Sequence, residues 1–129
     1  MKITYLSTTQ VLAIHDQMIK RFSGSSGIRD ITLLESAVAR PQASFDQKDL
    51  YSELFEKAAA LIESLLKNHP FVDGNKRTAL TSTGIFLQLN GYRLKNYHDD
   101  EIAFALEVAN QRMGIEKITF WLKEHSEPI

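Results

Sequence analysis

A ten-residue stretch that begins at His69 and reads HPFVDGNKRT holds most of the side chains in this sequence that could carry out chemistry. His69 can exchange a proton near neutral pH, and Asp73 is a candidate ligand for a divalent cation. Gly74 permits close approach of the backbone, while Lys76 and Arg77 add two positive charges, the second as a fork that matches phosphate oxygens. A base, a metal ligand and two cations in one loop indicate a phosphoryl- or nucleotidyl-transfer site.

Two segments of helical period flank this loop and must position it. The first runs from Ser52 to Asn68 and is apolar around more than half its circumference, and the second runs from Lys76 to Asn90. A loop that feeds the start of a helix presents unpaired backbone N–H groups and a partial positive charge, which suit it to binding phosphate. Gly74 and Asn75 stand where such an anion-binding turn would form.

The segment from His69 to Arg77 resembles the signature of the Fic/Doc family, with Phe71 and Gly74 in register. Most members of that family have Gly where this chain has Lys76, and a second Arg where it has Leu80. Both differences are similar to the Doc branch, the death-on-curing toxins of toxin–antitoxin pairs. The helical pattern on both sides agrees, so the resemblance extends over the whole chain.

The resemblance implies a toxin that transfers the γ-phosphate of ATP to a threonine hydroxyl of a target protein. In the Doc branch that target is translation elongation factor Tu, and the modification blocks translation. Transfer of AMP, the reaction of the wider family, is the alternative. The implied site residues are His69 as general base, Asp73 as the Mg²⁺ ligand, and Gly74, Asn75, Lys76 and Arg77 around the phosphates.

Lys76 favours phosphate transfer over AMP transfer for a steric reason. A glycine at this position leaves room for a diphosphate against the helix start, whereas a lysine stem fills the space. The nucleotide would then enter in the opposite sense and present its γ-phosphate to His69. The orientation of the nucleotide is implied by the family resemblance and not by the residues themselves.

Two functions from other classes remain open. One is a catalytically silent module that only binds a partner. The other is a metal-dependent phosphohydrolase, suggested by the pairs His15-Asp16 and His98-Asp99 on a helical scaffold. We expect His15 to be a core histidine and Asp99 to be a helix cap, which leaves the phosphohydrolase the weaker hypothesis.

A built-in inhibitory helix, which many Fic enzymes carry, is not evident in this chain. Ser52 and Glu56 have the required spacing, but Lys57 follows where Gly or Asn is expected. We therefore predict a separate antitoxin protein, with an apolar segment that folds into a groove of this chain.

Composition is that of an ordinary soluble domain. A hydrophobic fraction of 43% over 129 residues supports one core, and we expect a single domain spanning residues 1–129. A net charge of −1 predicts no direct nucleic-acid binding. Without cysteine, a signal peptide or a membrane-length apolar run, the chain is expected to be cytoplasmic with no membrane partner.

The remaining periodicity predicts an all-α fold, a compact bundle of six or seven helices with room for very short strands. Ser7 and Gln10 match a capping box, and Asp30 is the expected cap of a helix that runs through Arg40. Further helices are expected from Asp99 or Asp100 through Ala109, closing near Gly114, and from Ile115 to His125. Phe45, in the polar segment 41–49, is either part of a target-docking flap or tucked into the core. Residues 127–129 are expected to be a frayed tail.

Overall fold

The computed structural model describes residues 2–95 and 98–129, and the side chains of His98 and Asp99 lie outside this description. The described residues form six α-helices, one turn of 3-10 helix at Arg40–Gln42 and four strands of two or three residues. The helices are α1 (Thr8–Phe22), α2 (Ile31–Ala39), α3 (Leu54–Asn68), α4 (Asn75–Leu89), α5 (His98–Ala109) and α6 (Ile115–Glu124). The strands are β1 (Ser44–Phe45), β2 (Lys48–Asp49), β3 (Tyr92–Leu94) and β4 (Ser126–Pro128). The predicted helical class is confirmed.

Helix α3 forms the centre of the fold. Every residue from Lys57 to Leu66 is buried, and α2, α4, α5 and α6 all pack against this helix. Its three successive alanines, residues 58–60, are fully buried, and such short side chains let neighbouring helices pack closely. The loop that joins α3 to α4 is therefore held between two buried helices.

The predicted caps are confirmed at two helix starts. The Ser7 side chain accepts from the Gln10 amide in a full capping box at α1, and Asp30 caps α2. Other predicted limits are wrong by one or two residues, and the end of α5 by about five, because apolar periodicity does not define where the frayed ends of a helix stop. The corrected limits are Ala39 instead of Arg40, Leu54 instead of Ser52, Asn75 instead of Lys76, Leu89 instead of Asn90, His98 instead of Asp99 or Asp100, Ala109 instead of a residue near Gly114, and Glu124 instead of His125. The cap role predicted for Asp99 falls on a side chain outside the described residues.

Strands β1 and β2 form a small antiparallel hairpin. Phe45 lies on this β1–β2 hairpin with 76% of its surface exposed, so the prediction that it is tucked into the core is wrong. The side chain of Lys57 on α3 is 2% exposed, and its Nζ lies 3.0 Å from the Asp49 carboxylate. This ion pair attaches strand β2 to the central helix, while the side chain of Phe45 on β1 faces solvent.

The C-terminal residues are ordered by pairing, and the predicted frayed tail is wrong. Strand β4 pairs antiparallel with β3, and the Ile129 amide donates to the carbonyl of Gly91 at 3.0 Å. At the other end, residues 2–6 form neither helix nor strand, and Thr4 exchanges two hydrogen bonds with the Asn90 side chain. None of the helices within the described ranges, 2–95 and 98–129, combines the length and the apolar character that a membrane span requires.

Candidate active site

The six-residue loop 69–74 reverses the chain between α3 and α4. His69 is the C-cap of α3 and has a φ of 48°, in the left-handed region that residues with a Cβ seldom adopt. Gly74 is the N-cap of α4 with a φ of 77°. A Cβ at Gly74 would lie 3.1 Å from Cδ1 of Ile19 on α1, so both the backbone angle and the available space favour glycine. The turn leaves the His69 side chain exposed.

Phe71 anchors the loop in the core. It is 1% exposed and stacks on the ring of His15, with ring centroids 3.8 Å apart and an interplanar angle of 5°. His15 is 5% exposed, which confirms it as a core histidine. Its Nε2 lies 2.9 Å from the Asp73 carbonyl oxygen. Because a carbonyl only accepts, this contact requires the proton on Nε2. His15 and Phe71 therefore attach the loop to the core.

The side chain of Asn75 is bonded to the backbone of the loop. The side chain is 7% exposed and faces the loop rather than solvent, and it makes two bonds to the backbone of Phe71. Its Oδ1 accepts from the Phe71 amide at 3.0 Å, and its Nδ2 donates to the Phe71 carbonyl at 2.9 Å. Asn75 is the first residue of α4, so only its backbone N–H is available for an anion at the helix start.

Two backbone amides hold the Asp73 carboxylate in place. Its Oδ2 accepts from the Ser25 amide at 2.9 Å and its Oδ1 from the Gly74 amide at 2.8 Å. These hydrogen bonds, the one from Ser25 first, lower the pKa of Asp73 below its usual range, and the positive charge of Arg77 acts in the same direction. The carboxylate is therefore ionised at neutral pH. Each oxygen keeps a lone pair for a further partner.

The start of α4 concentrates positive charge. Gly74 offers no side-chain cap, so the amides of the first helical turn keep their hydrogen-bonding capacity. Lys76 and Arg77 are exposed in that same turn, where cations oppose the helix dipole. The Arg77 guanidinium lies 3.8 Å above the centre of the Phe22 ring at the end of α1. An anion at this helix start would relieve the repulsion.

All six predicted site residues line one cleft of about 730 Å³. Its walls are the 69–77 segment and residues of α1, α4 and α5. The lining residues are Met18, Arg21, Phe22, His69, Val72, Asp73, Gly74, Asn75, Lys76, Arg77, Leu80, Thr81, Glu101, Ile102 and Ala105. Phe22, which was not among the predicted site residues, is 48% exposed at the cleft. Ser25 gave only a turn signal, and nothing in the sequence linked it to Asp73.

The donor set of this cleft fits a magnesium-bound nucleotide. A volume of about 730 Å³ lies in the range of clefts that hold ligands of nucleotide size. Mg²⁺ is commonly held by one or two carboxylates together with substrate phosphates, and Asp73 supplies one ionised carboxylate. The first-turn amides of α4, Lys76 and Arg77 are donors for phosphate oxygens. Apolar residues in the same lining, such as Phe22 and Ile102, would contact the less polar part of a nucleotide.

The metal-dependent phosphohydrolase hypothesis needs a cluster of metal ligands. Among the described side chains, those of residues 2–95 and 100–129, no three His, Cys, Asp or Glu are grouped to hold a metal ion. His15 is engaged with Phe71 and the loop backbone. The side chains of His98 and Asp99, the second pair, lie outside the described residues.

Sequence comparison shows that this chain is similar to known proteins over the region that contains the candidate site. A sequence model of the Fic/DOC family matches residues 5–87, which include the whole loop and most of α4. The chain is 46% identical over 99 residues to "Toxin Doc" of Mycolicibacterium smegmatis, covering 75% of this chain and 76% of that protein. It is 34% identical over 90 residues to "Protein kinase doc" of Escherichia phage P1, covering 70% of this chain and 71% of that protein. The chain belongs to the Fic/DOC family.

Proposed function

We propose that this protein is the toxin of a toxin–antitoxin pair and acts as a protein kinase. It transfers the γ-phosphate of ATP to a threonine hydroxyl of a target protein, elongation factor Tu, and so blocks translation. Two relatives support the proposal by name, a toxin at 46% identity and a protein kinase at 34% identity. Both are covered over about three quarters of their length, which includes the counterpart of the site.

One observation carries the proposal. An exposed histidine, an ionised carboxylate and a basic helix start all line a single cleft. Each alone has a structural explanation: His69 ends α3, and Asp73 binds turn amides. Lys76 and Arg77, however, are unfavourable in an isolated first turn. Their position is best explained by a phosphate group bound beside them.

In the proposed reaction His69 removes the proton from the target hydroxyl as its oxygen attacks the γ-phosphorus. A new O–P bond forms, and the bond from the γ-phosphorus to the oxygen bridging to the β-phosphate breaks, which releases ADP. General-base catalysis of this kind contributes roughly 10²–10⁴-fold in rate. Asp73 would hold Mg²⁺, which supplies charge neutralisation on the phosphates. Lys76, Arg77 and the amides of the first turn of α4 stabilise charge on the transferred group.

The β1–β2 hairpin is the proposed docking element for the target. Its aromatic residue, Phe45, is 76% exposed, and Leu50 just after β2 is 56% exposed. A short exposed hairpin can receive an extended segment of another protein by strand pairing, with side chains such as these contributing apolar contact. The ion pair between Asp49 and Lys57 holds the β1–β2 hairpin at a fixed place on α3.

Control is proposed to come from a separate antitoxin. Ser52 and Glu56, the only residues with the spacing considered above for an inhibitory helix, are joined to each other by a hydrogen bond of 3.3 Å at the start of α3. Expression of this chain alone is therefore expected to arrest growth. Normal growth of cells that contain soluble, folded protein would contradict this part of the proposal.

The decisive experiment incubates the purified chain with elongation factor Tu and ATP labelled at either the α- or the γ-phosphate. Label from the γ-phosphate, with an added mass of one phosphate on a threonine, is the expected result. An added AMP would instead establish the transfer of the wider family. No modification of this target would refute its assignment.

His69→Ala is the matched variant for this assay. Because the side chain is exposed at a helix end, the variant should melt close to the parent and lose transfer activity. Full activity of folded His69→Ala would exclude His69 as the general base while leaving the substrate question to the labelled-ATP result.

A further inference from the structure

Arg29, which precedes α2, reaches the end of α3 with its side chain. Its Nε donates to the His69 carbonyl at 2.6 Å, and its Nη2 donates to the Asn68 carbonyl at 2.6 Å. The last carbonyls of a helix lack partners within the helix and carry a partial negative charge. A guanidinium matches such a pair because two of its N–H groups point in fixed, parallel directions. The fork therefore holds the carbonyls of the two peptide units that flank the Cα of His69.

His69 has a backbone that requires such support. Its φ of 48° and ψ of 56° are left-handed, a conformation disfavoured for any residue with a Cβ. A strained conformation persists only where surrounding contacts determine it. The same two angles set the direction of the Cα–Cβ bond, so a rotation of the peptide would move the imidazole away from the cleft. Arg29 contacts the carbonyl of this residue directly.

The backbone that carries Arg29 is itself fixed to the loop. The amides of Arg29 and Asp30 both donate to the Pro70 carbonyl, at 2.7 and 3.1 Å. Ile28 forms an antiparallel bridge with Phe71, and the Val72 amide donates to the Gly27 carbonyl at 3.1 Å. Residues 27–30 thus run beside the loop as a registered partner segment, and the guanidinium is presented from a rigid base.

We infer that Arg29 is a positioning residue, which fixes the backbone of His69 and so aims its imidazole into the cleft. The inference rests on the proposed role of His69 as the general base. Arg29 is not among the residues that line the cleft, so it acts through His69 and not on the substrate. A purely structural helix cap would lower stability alone, whereas a positioning residue also changes the rate of the chemical step.

The test compares Arg29→Ala and Arg29→Lys with the parent in kcat, KM for ATP and melting temperature. Because displacement of a catalytic group by about 1 Å can cost on the order of 100-fold, we expect kcat to fall 10- to 100-fold in Arg29→Ala. KM for ATP should stay within about twofold, since the phosphate-binding residues are untouched. Arg29→Lys, which keeps the charge without the fork, should be intermediate. Guanidinium ion at concentrations that do not unfold the protein should restore part of the rate to Arg29→Ala.

Arg112→Ala is the matched control, because Arg112 is exposed and pairs with Glu107 far along the chain from the loop. It should leave both kinetic constants unchanged. A kcat of Arg29→Ala within twofold of the parent, with only a lower melting temperature, would overturn the inference and leave Arg29 as a helix cap.

A second readout does not depend on activity. The ring C–H signal of His69 in an NMR spectrum can be identified by its loss in His69→Ala. In Arg29→Ala this signal should shift and broaden, while an unchanged position and width would overturn the inference. If the parent itself transfers no phosphate, the proposed function fails and the NMR result still decides whether Arg29 positions His69.

Discussion

Replacement of Asn75 by alanine tests how the loop is built. The substitution removes the donor and the acceptor that bind the Phe71 backbone, and it leaves the side chain of Phe71 in place. Both backbone groups are buried, so only water that enters the space left by the amide can replace part of the lost bonding. The loop would lose its link between the core anchor and the first turn of α4.

The expected cost follows from those two bonds. A buried donor or acceptor that loses its partner costs about 1–3 kcal/mol. Two such groups give about 2–4 kcal/mol here, since the space left by the side chain admits some water. For a chain of 129 residues, one kcal/mol corresponds to roughly 4 °C in melting temperature. Asn75→Ala should therefore melt about 8–15 °C below the parent.

The assay is denaturant unfolding and calorimetry, paired with nucleotide binding. Asn110→Ala is the matched control, because it removes the same side chain from an exposed position after α5 and should stay within about 0.5 kcal/mol of the parent. Asn75→Asp keeps the shape and the acceptor but sets an oxygen against the Phe71 carbonyl, so it should also be destabilised. A melt of Asn75→Ala equal to that of the parent would refute the argument that this amide holds the loop.

Three further predictions concern the cleft and the hairpin. Lys76→Gly should lose phosphate transfer and bind ATP more weakly because one cation is removed, as measured by mass spectrometry of the target and by titration calorimetry; undiminished phosphate transfer would contradict the role of the lysine stem. Lys57→Met keeps the buried volume but removes the ion pair with Asp49 of the β1–β2 hairpin. The amides of the hairpin should then exchange hydrogen faster, while the melting temperature changes little. Unchanged exchange would show that the ion pair does not restrain the hairpin. Gly24→Ala places a Cβ 2.8 Å from Oδ2 of Asp73 and should weaken Mg²⁺-dependent ATP binding, whereas Gly114→Ala, whose added Cβ meets nothing within 4 Å, should not. Equal ATP affinity of these two glycine variants would argue against Asp73 as the cation ligand.

The sequence by itself determined the helices and the composition of the site. Apolar periodicity marked α3 as central, and Ser7 and Asp30 marked two helix starts, because these signals depend only on residues within a few positions of one another. The residues from His69 to Arg77 are also contiguous. A loop between two predicted helices brings them together whatever the rest of the chain does.

The tertiary structure decided which groups support that loop and in which direction they point. Ser25 and Arg29 reach Asp73 and His69 across 48 and 40 positions, and no local pattern records such a pairing. Strand β4, with three residues, is too short to show a period, so its pairing with β3 is decided by where α6 ends. Phe45 is apolar yet exposed, because the hairpin that carries it projects from the core. Side chains of one type serve as core, cap or contact surface according to their neighbours in space, and those neighbours exist only once the helices have packed.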